Sequence, residues 1–229
     1  MDPALRQGML AYYDERAAEY EQAYTAGTGT SSIADPHVFT AEAAALAGVV
    51  SAFGHGHFID IACGTGYWLP SYAARCSHIT LVDQSPNMLR ECGQKVSALG
   101  IVDRCELLVA DVLDLEFPSG VYDSALIGFL ISHLSEAQER TLFDGLRRTL
   151  RPSGRFLILD SAWTEMRARF NEKVSAQGRQ LNDGSEFVIY KRYIDRDDIA
   201  GWGERYGLTT RVEYFGSALC AVSGAFDAA

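Results

Sequence analysis

FIDIACGTGYWLP, residues 58–70, is the stretch on which the reading of the fold turns. Phe58 to Ile61 is a short apolar run with one acid inside it, Asp60, and Gly64-Thr65-Gly66 follows as a turn. Runs of the same kind recur downstream: 57–63 belongs with 78–83, 105–111, 122–130 and 154–162. Helix-like stretches separate them at 66–76, 86–99 and 135–150. Short, nearly continuous apolar strands alternating with helices predict a parallel sheet covered on both faces. Right-handed crossovers then make a doubly wound α/β sheet the simplest closure.

Upstream, Leu10, Tyr13, Ala17, Tyr20 and Tyr24 recur three or four apart, which predicts a helix over 3–24. TAGTGTSS (25–32) reads as a linker, and Asp35-Pro36 as the cap and first turn of a second helix ending near Phe53. Downstream, 164–178 is expected as a helix and Asn182-Asp183-Gly184 as the turn of a hairpin. A helix over 195–206, opened by Asp195, and two closing antiparallel strands complete a seven-stranded sheet. The expected organisation is a single domain. Residues 1–53 form an N-terminal helical lid, 54–163 with 195–229 the core, and 164–194 a capping insertion after strand five.

The 229 residues, 48% hydrophobic and 22% charged, suit one soluble globular domain with a full core. The net charge of −10 argues against nucleic acid, whose binding needs clustered Lys and Arg. No stretch reaches the ~20 uninterrupted apolar residues of a membrane helix, and the N-terminus lacks a signal-peptide core. Cys63, Cys76, Cys92, Cys105 and Cys220 form no C-x-x-C pair, so a reduced, cytoplasmic protein without a zinc site is expected.

In a doubly wound sheet, ligands bind beyond the carboxyl ends of the strands. Three acids stand at three such ends: Asp60, Asp83 and Asp111. Asp83 follows Gly64 by nineteen residues, the spacing of an acid that holds ribose hydroxyls. A nicotinamide dinucleotide would share that acid. However, Leu69 stands where a third glycine would admit a pyrophosphate, and Asp60 would repel phosphates. A positively charged, phosphate-free nucleoside fits better, and S-adenosylmethionine is one.

FIDIACGTGYW, LVDQSPNML, VADVLDL, YDSALIGFLISHL and LRPSGRFLILD, in this order over about 57–162, resemble the class I S-adenosylmethionine-dependent methyltransferases. The resemblance implies a Rossmann-like fold with Asp60, Ala62, Gly64 and Gly66 around the methionine part. It further implies Asp83 and Gln84 at the ribose, Asp111 and Val112 at the adenine amine, Met88 against the adenine ring and Gly128 at the end of strand four. Tyr13 or Tyr20 of the N-terminal helix would close over the cofactor carboxylate, as in similar small-molecule enzymes.

The acceptor side is less patterned. His133, just past strand four and titrating near neutral pH, is the candidate general base. His37, Trp68, Trp163, Tyr190 and Arg192 are candidates to enclose a small acceptor. Asp160 has no accompanying Asp-Asn pair, so no metal is expected. Strand four also lacks the Asn/Asp-Pro-Pro-Tyr/Phe stretch of base-modifying enzymes. The expected activity is O-methylation of a small metabolite in specialised biosynthesis, by a monomer or homodimer. The alternatives are N- or C-methylation, or cofactor binding without methyl transfer.

Overall fold

A computed structural model of the chain describes residues 2–25, 36–114 and 117–227. The expected linker beyond Thr25 and the Asp35 cap lie outside the described residues. The elements are α1 (Pro3–Glu15), α2 (Gln22–Thr25), α3 (Pro36–Phe53), β1 (Gly56–Ile61), α4 (Leu69–Tyr72), β2 (Cys76–Asp83), α5 (Pro86–Ala98), β3 (Cys105–Val109) and β4 (Tyr122–Gly128). They continue as α6 (Glu136–Thr149), β5 (Leu150–Ser161), α7 (Glu165–Ala168), β6 (Val174–Gln180), β7 (Glu186–Arg192), α8 (Arg196–Tyr206), β8 (Leu208–Phe215) and β9 (Leu219–Phe226).

Seven strands form one sheet in the order β3-β2-β1-β4-β5-β9-β8, a doubly wound, Rossmann-like architecture as expected. β1 pairs in parallel with β2 and β4, whereas β9 runs antiparallel to both β5 and β8. Chain order therefore reverses between β1 and β4, the point at which such sheets open a crevice for ligand. Alternation along β1 explains its buried acid. Ile59 and Ile61 enter the core against α6 and α8, while Phe58 and Asp60 face the other layer, which Tyr72 of α4 and Cys92 of α5 help to build.

The N-terminal periodicity is real but broken. α1 ends at Glu15, a 3-10 turn covers Arg16–Glu19, and a single helical turn follows. Tyr12 is buried against Leu181 and Ile189, while Tyr13 and Tyr20, on either side of the break, lie over the carboxyl ends of the strands. Residues 66–76 likewise hold only the short α4 and a 3-10 turn.

The expected helix over 164–178 is corrected: helix persists only over Glu165–Ala168, and Val174–Gln180 is β6. β6 pairs in register with β7, Ala176 opposite Tyr190 and Ser175 opposite Lys191. The apolar, β-branched β7 offers a partner that local helix preference cannot match. The hairpin turns at the expected place, with the Gly184 N–H donating to the Leu181 carbonyl (3.0 Å). Met9 and Tyr12 of α1 pack on Leu181 and Ile189, so α1 and the hairpin form one roof.

Candidate functional site

The carboxyl ends of β1, β2 and β4 and the loop after β3 open onto a cavity of about 840 Å³ roofed by α1. Gly64 begins its floor. The residue sits at φ +55°, and a side chain there would point at Tyr20 and the Met88 sulfur, 3.7 and 3.9 Å away, inside the cavity. Its N–H donates to Asp83 Oδ2 (2.9 Å), and the Ser85 N–H donates to Asp83 Oδ1 (2.9 Å). Each carboxylate oxygen thus holds one backbone hydrogen and keeps a lone pair for a ligand hydroxyl. Burial raises the Asp83 pKa above the usual carboxylate value, against the opposing pull of those backbone hydrogen bonds.

Two non-glycine residues adopt left-handed backbone at the crevice: Ala62 after β1 and Phe129 after β4, both at φ +56°. Each costs on the order of 1–2 kcal/mol. They line the same cavity from adjacent strand ends, where strain of this kind is retained to shape a site.

The other walls come from the expected residues and from several that the sequence did not reveal. Tyr13, Tyr20, Gln84, Met88, Asp111, Val112, Gly128 and His133 all reach the cavity. So do Arg6, Leu113 and Phe129, to which the motifs assigned no role. Arg6 of α1 reaches across to pair with Asp111 Oδ2, while Oδ1 of that acid accepts from the Leu113 N–H (2.9 Å).

The roof is fastened at two further points. Asp14 accepts from the Ser85 hydroxyl (2.6 Å) and the Asn87 side chain (2.7 Å), covering the start of α5. Glu21 accepts from the Thr65 hydroxyl (2.7 Å) and pairs with Lys95.

Asp60 and Gly66 are not in the cavity wall. Asp60, 2% exposed, accepts a hydrogen bond from the Tyr72 hydroxyl (2.6 Å) beneath the turn, and burial pushes its pKa up to about 7. Gly66 sits at φ +71°, and a Cβ there would lie 2.7 Å from the Cys92 sulfur. That glycine lets α5 approach the turn.

His133 departs from expectation in its titration, not its place. Its Nδ1–H donates to the Tyr190 carbonyl (2.7 Å), which fixes the tautomer, so Nε2 accepts from the Tyr13 hydroxyl (2.8 Å). Burial, reinforced by the Lys191 ammonium, holds its pKa well below the ordinary histidine value. The ring is therefore neutral, with its lone pair engaged.

Behind the Tyr13–His133 pair lies a second cavity of about 490 Å³. Tyr13, Tyr20, Phe129 and His133 line both cavities and form the partition between them. The second is otherwise lined by Arg16, Arg179 and Lys191, with aromatic and small residues between.

The expected acceptor residues lie apart from it. Arg192 pairs with the fully buried Glu139 of α6, and Trp163 stacks on Tyr193. His37 is exposed, Tyr190 contributes its carbonyl to His133, and Trp68 is buried under Phe129 and Tyr24. Among the described residues no cluster of His, Cys, Asp or Glu has a metal-binding arrangement, and no helix is long and apolar enough to cross a membrane.

Residues 58–154 match the family model described as a methyltransferase domain. Over that stretch, less than half of its length, the chain is similar to S-adenosylmethionine-dependent methyltransferases. Curated relatives match less than half of this chain. A demethylmenaquinone methyltransferase of Symbiobacterium thermophilum is 31% identical over 109 residues, 46% of this chain and 43% of that protein. A sterol 4-C-methyltransferase of Caenorhabditis elegans is 27% identical over 104 residues, 45% of this chain and 30% of that protein. The chain thus matches less than half the length of either of these relatives. Among solved structures, a DhpI–SAH complex superposes over 98% of both chains with a TM-score of 0.77 at 22% identity. The glycopeptide N-methyltransferase MtfA superposes over 79% of this chain and 85% of its own, with a TM-score of 0.60 at 16% identity. At such identities the likeness is one of fold.

Proposed function

We propose that this chain moves a methyl group from S-adenosylmethionine to an oxygen of a small acceptor. When bound, the cofactor supplies a methyl group activated by a positively charged sulfur. The cavity suits it on the donor set alone: Asp83 offers two lone pairs where ribose hydroxyls need acceptors. Met88, Val112 and Leu113 add an apolar wall for a nucleobase, and Gly64 leaves the turn bare for close approach. The observation that carries the reading is Asp83, tied to the Gly64 amide and facing that cavity from the switch point of the sheet.

The chain's own contribution is to position and to exclude water, which is most of what methyl displacement requires. Tyr13 and Tyr20 on the fastened roof cover the site, and the Tyr13–His133 hydrogen bond holds the partition in one arrangement. His133 acts there as a positioning residue. A neutral ring whose Nε2 is occupied is a poor sink for a proton, so the acceptor that suits this site has an oxygen already ionised. One curated relative is named a sterol 4-C-methyltransferase, and a C-methylated product from this chain would overturn the oxygen assignment.

Isothermal titration with S-adenosylhomocysteine tests the cofactor reading. Asp83→Ala should weaken binding at least about 10-fold, since a charge-assisted hydrogen bond contributes about 1.5–3 kcal/mol. NADH should not bind. Undiminished affinity in the variant would refute the proposal.

A further inference from the structure

The second cavity contains a charge that the fold leaves unanswered. Arg16 is 7% exposed, at the break between α1 and α2. Its guanidinium donates to the Tyr12 hydroxyl (2.6 Å) and lies over the Tyr12 and Tyr20 rings, 5.4 and 5.2 Å from their centroids. Among the described residues no carboxylate comes within 4.0 Å of it. Aromatic faces and one phenol offset only part of the cost of burying a cation, which a paired anion would offset far better.

Across the same cavity stands Lys191 of β7, 5% exposed, whose ammonium donates to the Ser132 hydroxyl (2.6 Å) with Asp160 at 3.7 Å. Arg179 of β6 adds a third cation from the neighbouring strand. Among the described residues no acid lines this cavity. A chain with a net charge of −10 has gathered three of its twenty basic residues on one cavity.

We propose that the second cavity is the acceptor subsite and that it takes a small oxyanion, a carboxylate or a phosphoryl group, held by Arg16, Lys191 and Arg179. The proposal rests on the cofactor reading for its chemistry, because the partition of Tyr13, Tyr20, Phe129 and His133 is what the two cavities share. An oxyanion bound there needs no base. Its oxygen lone pair forms the new carbon–oxygen bond as the methyl–sulfur bond breaks, and the bonding pair stays on sulfur, which becomes a neutral thioether. One negative charge on the acceptor and the positive charge on sulfur disappear together, and no proton moves. This accounts for a histidine held neutral beside the reacting groups.

The test uses the full chain with inorganic phosphate and, in a separate arm, acetate. Each anion is titrated with and without saturating S-adenosylhomocysteine, and binding is followed by calorimetry and by the fluorescence of the cavity tyrosines. At least one anion should bind saturably, with phosphate favoured if the acceptor is phosphoryl and acetate if it is a carboxylate. Arg16→Gln and Lys191→Met should each weaken that anion about 10-fold or more, as expected for hydrogen bonds to a charged group. Arg16→Lys should recover part of the loss, and all three variants should keep the affinity for S-adenosylhomocysteine within about threefold. If Arg16→Gln does not fold, the half-buried Arg179→Gln serves the same comparison.

Absence of saturable binding by both anions, or wild-type anion affinity in the glutamine variants, would overturn the subsite while leaving the cofactor reading intact. Failure of the wild type to bind S-adenosylhomocysteine would instead remove the cofactor reading. The anion titration without it would still decide whether the cationic cavity binds oxyanions.

Discussion

Replacing Asp60 by Asn should flatten the stability of the protein between pH 5 and pH 7. In the folded state burial raises the Asp60 pKa from 3.8 to about 7, with the Asp83 charge adding to the rise and the Tyr72 hydrogen bond opposing it. The unfolded chain binds fewer protons at this group than the folded chain throughout the interval between those values. Stability from Asp60 is therefore fully present below about pH 3.8 and declines as pH rises towards 7. Applied to these two values, linkage gives a loss of about 2 kcal/mol from pH 5 to pH 7. Asn has nearly the same shape, still accepts from Tyr72 and does not ionise. Urea unfolding of both proteins at half-unit pH steps isolates the effect as a difference, in which other titrating groups cancel. The variant should be less destabilised by the rise to pH 7 than the wild type, by about 2 kcal/mol. Parallel stability curves would refute the reasoning, since Asp60 would then titrate alike in both states.

The two glycines of the turn should fail in different ways. Gly66→Ala adds a left-handed alanine and a methyl 2.7 Å from the Cys92 sulfur, and should cost about 2–4 kcal/mol of stability by denaturant unfolding. Gly64→Ala meets nothing closer than 3.7 Å on the cavity side and should cost about 1–2 kcal/mol, while weakening S-adenosylhomocysteine about 10-fold or more by calorimetry. Arg6→Ala breaks a half-exposed pair with Asp111, worth under about 1 kcal/mol to stability. It should raise the dissociation rate of S-adenosylhomocysteine several-fold in stopped flow by loosening the roof, and an unchanged rate would show that α1 does not gate the cavity. Tyr13→Phe removes the hydroxyl that occupies His133 Nε2 and should lower turnover without changing affinity for S-adenosylhomocysteine. Equal loss in both would place Tyr13 on the cofactor instead.

The doubly wound class of the sheet was legible because each strand from β1 to β5 is a self-contained apolar run, and a parallel sheet needs nothing else to declare itself. Asp83 and Asp111 were legible for the same reason, being polar residues that end such runs. Asp60 was visible as an anomaly, but its partner was not. Tyr72 lies twelve residues on, in a stretch whose helix is a single turn, and only the tertiary fold brings its hydroxyl to the acid. Arg6 carried no signal, because its meaning comes from Asp111, 105 residues away. The near-neutral histidine inferred for residue 133 failed on burial, which sequence position alone does not report.

The segment 164–194 shows why the acceptor side resisted reading while the cofactor side did not. With 164–178 read as a helix, the expected hairpin keeps only residues 179–181 as its first arm, and nothing connects Arg179 and Lys191 to Arg16. Pairing β6 with β7 fixes Arg179 and Lys191 on neighbouring strands, and the packing of Met9 and Tyr12 on Leu181 and Ile189 then carries the end of α1 over both. Three cations spread over 175 positions converge through two contacts that neither segment encodes locally. The cofactor cavity needs only the repeated strand–turn–helix unit. The proposed oxyanion subsite, by contrast, depends on one long-range docking of helix on hairpin, so substitutions at Leu181 or Ile189 should disturb anion binding before they disturb the cofactor.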